Sequence, residues 1–146
     1  MVAQVGVFAL FVLTLLFTDG MERGFGLGYA RVVGWALVVA AGMMAGWAAA
    51  LMGRFITPYP APSDGAVLLD RGPYRFVRHP MYGAVTIAAI GLGLALVNPW
   101  ALAVSILFPV FFTAKAGHEE ALLMATFPAY REYRSRVEHR LIPWVL

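Results

Sequence analysis

Residues 29–52 read YARVVGWALVVAAGMMAGWAAALM, 24 positions with one charge, Arg31, near the start. A helix that crosses the hydrocarbon core of a bilayer needs about 20 predominantly apolar residues, with a usual range of about 17–25. This stretch meets that length and predicts a membrane-spanning helix. Three more apolar stretches lie on either side of it. Residues 2–18 have Gln4 and Thr14 as their markedly polar interior positions; residues 81–97 and 99–114 are the other two. These three sit near the lower limit, so they cross with little tilt or with snorkelling flanks. The composition agrees: of 146 residues 61% are apolar and 13% charged, with a mean hydropathy of +0.75. Soluble domains run at about 45–50% and about 25%. A soluble enzyme, a disordered chain and a collagen-like repeat are excluded. At 15.9 kDa the chain is one domain. The absence of cysteine excludes disulfides, thiolate catalysis and Cys-ligated metals.

The expected fold class is therefore all-α. It is a polytopic membrane protein with four transmembrane helices, a long cytoplasmic loop before the third helix and an amphipathic C-terminal helix. The first stretch lacks a basic leader, and Phe17-Thr18-Asp19-Gly20 is a poor cleavage site, so it reads as a membrane helix and not a signal peptide. Asn98-Pro99 makes a tight turn, expected on the periplasmic side, between the third and fourth spans. Residues 53–80 form the long loop and hold five of the nine prolines; a loop of that length is usually functional or disordered. Arg54, Arg71, Arg75, Arg78, Lys115, Arg131, Arg134, Arg136 and Arg140 fall in that loop or the tail, and only Arg23 and Arg31 fall elsewhere. The positive-inside rule makes that side cytoplasmic, and both termini with it. Within the spans, the Gly42-x-x-x-Gly46 pattern permits close helix approach and is expected to serve packing inside the chain. Gly91 and Gly93 allow a ligand or helix close to the third span. Pro109 is expected to kink the fourth.

Two clusters carry candidate chemistry. The denser is Arg71-Gly72-Pro73-Tyr74-Arg75-Phe76-Val77-Arg78-His79-Pro80-Met81-Tyr82-Gly83, just before the third span. Pro80 disfavours α geometry at His79 and suits the first turn of a helix. His79 is thus expected in an extended conformation at a helix N-terminus, where the dipole favours a carboxylate. Tyr74 and Tyr82 offer aromatic faces to a base or cation. An ordinary interfacial belt also gathers Arg, His and Tyr, but it needs no fixed order. The second cluster is Lys115, Ala116, Gly117, His118, Glu119, Glu120. Glu119, Leu122, Leu123, Thr126, Phe127 and Tyr130 recur at intervals of three and four, which predicts one face of a helix lying on the bilayer. Glu119 is expected to point toward the protein and Glu120 to its side. Lys115 alone reads as a lysine snorkelling from a helix end. His118 and His139 have no partner at zinc-ligand spacing, so no metal is expected. No nucleic-acid partner is expected either; the expected partner is the lipid bilayer.

The order Gly-Pro-Tyr, Arg-His-Pro-Met-Tyr, Asn-Pro, Glu-Glu, Phe-x-x-Tyr-x-x-Tyr and Leu-Ile-Pro resembles the isoprenylcysteine carboxyl methyltransferases. The related phospholipid methyltransferases share much of it. The resemblance covers roughly residues 64–143, which implies a cofactor-binding core there within a single membrane methyltransferase domain spanning 1–146. It implies an integral membrane enzyme of the minimal microbial form, in the cytoplasmic membrane of a prokaryote, using S-adenosylmethionine. It implies that Val67, Leu68, Leu69 and Tyr74 line one side of the cofactor pocket. It implies that His79, Pro80, Met81 and Tyr82 hold the methionine and sulfonium end, and that Glu119 contacts the cofactor. Lys115 falls where methyltransferases of prenylated proteins carry a substrate-contacting arginine; lysine keeps the charge and loses the bidentate fork. The stretch Phe127-Pro128-Ala129-Tyr130 is one residue shorter than the family's Phe-Gly-x-x-Tyr. A carboxylate acceptor is already ionised at neutral pH, so it needs a cation and no catalytic base. An amine must first lose a proton. Lys115 suits the carboxylate. The reading is carboxyl O-methylation of an isoprenylcysteine-like lipid. N- or S-methylation of a phospholipid or other small lipophile comes next, then a non-catalytic membrane protein that retains the fold. The related sterol reductases, with a nicotinamide cofactor, stand last.

Overall fold

The computed structural model describes residues 2–18, 27–53 and 68–143. These form α1 (Val2–Phe17), α2 (Leu27–Met52), a 3-10 turn (Gly72–Arg75), α3 (Pro80–Ala95), α4 (Pro99–Ser105), α5 (Leu107–Thr126) and α6 (Tyr130–Arg136), with no strand among the described residues. Gly28–Met52 and Pro99–Thr126 are long and apolar enough to cross a membrane, and Val2–Phe17 and Pro80–Ala95 are shorter apolar helices. The outward faces are large apolar side chains. Val5, Leu10, Val12 and Leu16 on α1 and Val32, Trp35, Val39 and Met43 on α2 are all exposed. Soluble monomers rarely expose a contiguous patch of this extent, whereas lipid tails solvate it.

Close backbone contact joins α2 to α3. A side chain on Gly34 would run into the backbone of Gly91 and Ala95, and one on Gly91 would come within 2.9 Å of the Gly34 carbonyl. Small residues allow this approach, and dispersion and packing hold it where lipid removes the hydrophobic drive. Gly93 in turn leaves room for Leu102 of α4. The two expected features of α3 therefore serve helices and not a ligand. Gly42 and Gly46 behave otherwise. Both face outward, and a Cβ at either would meet nothing within 4 Å. Among the described residues the GxxxG pattern packs against nothing, and Gly34, eight residues earlier, makes the close contact.

α3 ends in a Schellman arrangement, with Asn98 N–H donating to Gly93 O and Val97 N–H to Leu94 O. The left-handed position falls on Val97, at φ 50°. A β-branched residue there is strained by about 1–3 kcal/mol. Asn98 then caps α4, its Oδ1 accepting from Ala101 N–H at 3.0 Å. Its Nδ2 donates to Thr14 O, Thr18 O and Thr18 Oγ1, tying the end of α1 to this turn. The Asn-Pro step is thus a buried clamp as well as a turn. The apolar Pro99–Thr126 stretch is interrupted at Ile106, three residues before Pro109. Pro109 has no N–H to offer Ser105 O, which accounts for the expected kink.

The expected helix on the bilayer surface differs from what is found. Residues 119–126 are the last turns of α5 itself, which ends at Thr126; Phe127 is extended and Tyr130 opens α6. Pro128 stops the helix, so the three-and-four periodicity belongs to two helices. The chain after α6 returns to the start of α3. Arg78 N–H donates to His139 O and His79 N–H to Arg140 O. Leu141 is wholly buried, and its carbonyl occupies the space a side chain at Gly83 would need.

Candidate functional site

His79 caps α3 with a backbone at φ −126° and ψ 66°, outside the α region but not in the extended conformation expected before a proline, and its side chain makes no capping hydrogen bond. Pro80 fixes the first turn. The imidazole is therefore free to face α5 instead of its own helix. It stacks on Tyr82, with ring centroids 5.5 Å apart and planes 5° from parallel. Tyr82 stacks on Phe112 of α5 at 4.6 Å and 14°. Phe112 continues into Phe108 and Phe111, and Phe8 of α1 meets Phe108 edge-on at 5.1 Å. A row of aromatic rings thus runs from the imidazole into the apolar body.

α5 supplies the charges. Lys115 and Glu119 stand one helical turn apart on one face, and Ala116 and Glu120 on the adjoining, more buried one. Glu119 Oε1 accepts from the Tyr82 hydroxyl at 2.5 Å. Its Oε2 lies 3.6 Å from His79 Nδ1, while Glu120 Oε1 lies 3.4 Å from His79 Nε2. The imidazole is held between two carboxylates. Glu120, 2% exposed, is more buried than Glu119, reversing the expectation that Glu119 alone points inward. Arg78 explains this. Its Nε donates to Glu120 Oε1 at 2.8 Å, and its Nη1 donates to the Val137 and Glu138 carbonyls. Arg140 and Arg134 approach Glu120 Oε2 at 3.3 and 3.8 Å. A buried carboxylate persists only when paired, and Glu120 draws α3, α5, α6 and the tail to one point.

Lys115 Nζ donates to Gln4 Oε1 of α1 at 2.9 Å. It lies 4.0 Å from Glu119 Oε1 and 5.0 Å from the centre of the Tyr82 ring. Lys115 faces the cluster and does not snorkel away from it. Arg78, Arg134, Arg140 and Lys115 face Glu119 and Glu120, so with a neutral imidazole the site carries a surplus of two positive charges. That is an environment for an anionic group.

Tyr133 is buried and donates its hydroxyl to Tyr74 O at 2.8 Å, which docks α6 on the 3-10 turn. Gly72 of that turn has φ +61° and packs against Trp47 and Leu51 of α2. Leu68 packs on the Tyr130, Tyr133 and Val137 cluster, and Leu69 is half-buried. Val67 lies outside the described residues. Among the described residues, three buried polar atoms have no hydrogen-bond partner: Tyr74 Oη, Tyr130 Oη and His79 Nε2. Burial pushes the Tyr74 and Tyr130 hydroxyls up to about 12, so both are neutral donors at physiological pH. Buried polar atoms are nearly always satisfied; His79 Nε2 faces Glu120 Oε1 at 3.4 Å, and the two tyrosine hydroxyls are donors with no acceptor among the described residues. The structure therefore brings Tyr74, His79, Pro80, Met81, Tyr82, Lys115 and Glu119 together around one end of α3. The residues that sequence reasoning left without a role are Arg78, Glu120, Arg134, Arg140 and Gln4. For Gln4 the signal was present, because a polar residue inside an apolar span is by default a functional candidate.

Large apolar outer faces and a charged, aromatic cluster at one end of α3 are thus the two defining features of the described residues. The profile of the phospholipid methyltransferase family matches residues 29–129, and the chain belongs to that family. Its fold is similar to that of the eukaryotic intramembrane Ras methyltransferase, an isoprenylcysteine carboxyl methyltransferase, with a TM-score of 0.73 at 23% identity. The alignment takes in 99% of this chain and 52% of that one, so the chain spans about half the length of its structural relative. No curated protein matches the sequence.

Proposed function

We propose that the chain is an S-adenosylmethionine-dependent membrane methyltransferase that methylates the carboxylate of an isoprenylcysteine-like lipid. The observation that carries this is Lys115, a cation 85% buried (its side chain is 15% exposed) whose direct hydrogen-bond partner is the neutral amide of Gln4. It stands beside the aromatic row, where a lipid's polar head would sit if its chain lay against those rings. A buried ammonium left with so little compensation suits an incoming anion. When bound, S-adenosylmethionine supplies a methyl group on a cationic sulfur, and a carboxylate accepts it without losing a proton. Tyr74, His79, Pro80, Met81, Tyr82 and Glu119, with Leu68 and Leu69 beside them, would hold the cofactor. The three partnerless polar atoms support that assignment. The chain's own work is then to bind, orient and exclude water, which is where rate acceleration by proximity arises.

Four spans fit this reading: α1, α2, α3, and α4 with α5. Both termini and the site lie on the cytoplasmic side of a prokaryotic membrane, in keeping with the arginine distribution. A second reading is N-methylation of a phospholipid. It is favoured by the family profile and by Glu119, which accepts from Tyr82 and could take up a proton from an amine. Transfer of labelled methyl groups in lipid nanodiscs separates the two. S-farnesyl-N-acetylcysteine is expected to be labelled and phosphatidylethanolamine not. Label in phosphatidylethanolamine alone would overturn the carboxylate reading in favour of the second.

A further inference from the structure

Gln4 lies on α1, outside residues 29–129 that the family profile covers. It nevertheless reaches across to the charged centre of the site, 111 positions away in the chain. Lys115 has three donors. One goes to Gln4 Oε1 at 2.9 Å. Glu119 Oε1 is the nearest carboxylate oxygen, but at 4.0 Å it is beyond hydrogen-bond distance, and it already accepts from the Tyr82 hydroxyl at 2.5 Å. The Tyr82 ring lies under the ammonium at 5.0 Å and contributes a modest cation–π attraction.

We propose that Gln4 is a positioning and specificity-determining residue. It fixes the Lys115 ammonium with a neutral acceptor, so that the charge stays available to an anionic head group on the lipid substrate. This rests on the carboxylate reading above and deepens it. The choice of an amide is the point of the argument. A carboxylate at position 4 would hold Lys115 equally well and neutralise it, and the acceptor would then meet a satisfied ion pair. A hydrocarbon side chain would leave the ammonium without that anchor, 4.0 Å from Glu119. A neutral acceptor such as the amide anchors the lysine without cancelling it. Because the amide comes from α1, that helix tunes which acceptor head groups the site takes.

The test uses the full chain in nanodiscs, with S-adenosylhomocysteine present so that binding is read without turnover. The probes are S-farnesyl-N-acetylcysteine and its carboxamide, which differ by one charge. Wild type is expected to bind the acid at least about tenfold more tightly than the amide, the scale of a desolvated charge pair. Gln4→Glu is expected to lower that preference by about tenfold. Its affinity for S-adenosylhomocysteine is expected to stay within about threefold of wild type, about 0.65 kcal/mol. Gln4→Leu, which adds no charge, is expected to lower the preference by a smaller factor, and it serves should the glutamate variant fail to fold. A wild-type preference retained in either folded variant overturns the role of Gln4 and leaves the carboxylate reading standing. No preference in the wild type itself brings down that reading and this inference together.

Discussion

Two helix starts in this protein are built alike and used in opposite ways. His79-Pro80 opens α3 and Asn98-Pro99 opens α4; in each, a non-helical residue precedes a proline in the first turn. Asn98 turns its side chain onto its own helix and onto α1, and its amide is fully engaged. His79 leaves its own helix uncapped and turns its ring toward two glutamates of α5, with Nε2 lacking a hydrogen-bond partner. The same local device is closed by hydrogen bonds at one end of α3 and faces a charged cluster at the other. Completeness of hydrogen bonding is the difference between the two ends.

The largest way to break the comparison is to remove the support under the functional end. Glu120→Ala leaves Arg78 buried and partly unpaired and releases Arg140 and Arg134, so a loss of about 3–5 kcal/mol is expected. Thermal unfolding in nanodiscs reads it, and a melting temperature within a degree of wild type would show that Glu120 does not hold the tail. Asn98→Ala comes next. It removes a helix cap and the bonds to Thr14 and Thr18 and should lower stability by about 1–3 kcal/mol. Affinity for S-adenosylhomocysteine should stay unchanged in the same variant. His79→Ala should differ in the second assay. Stability falls by about 1–3 kcal/mol through the lost ring stack and glutamate contacts, and cofactor affinity falls about tenfold or more. Equal behaviour of the two variants in both assays would erase the distinction. Smallest of all is Gly42→Ala, whose new methyl group meets nothing; a shift within about 0.5 kcal/mol is expected. A large loss there would mean that a partner covers this face.

Much of this was legible in the sequence. Length and hydropathy place the helices, and the two prolines place the starts of α3 and α4, because sterics at Pro act on immediate neighbours. The order of motifs identifies the family and brings His79, Tyr82 and Glu119 into one site. What periodicity could not resolve is burial near a helix end. Glu120 and Glu119 are adjacent, and which is deeper depends on Arg78 arriving from α3 and Arg140 from the tail, contacts with no local trace. Periodicity also continued across the break at Phe127, since the apolar spacing of α5 and α6 happens to stay in step. The GxxxG stripe misled for a related reason. Small residues permit close packing but do not compel it, and Gly34 met Gly91 instead.

We propose above that the end of α3 is a cofactor site. Isothermal titration of S-adenosylmethionine and S-adenosylhomocysteine into the full chain in nanodiscs, beside Glu119→Ala, tests it most directly. The account expects micromolar binding of both ligands by the wild type and its loss in the variant. Absence of binding to folded wild-type protein, or undiminished binding in Glu119→Ala, would contradict it.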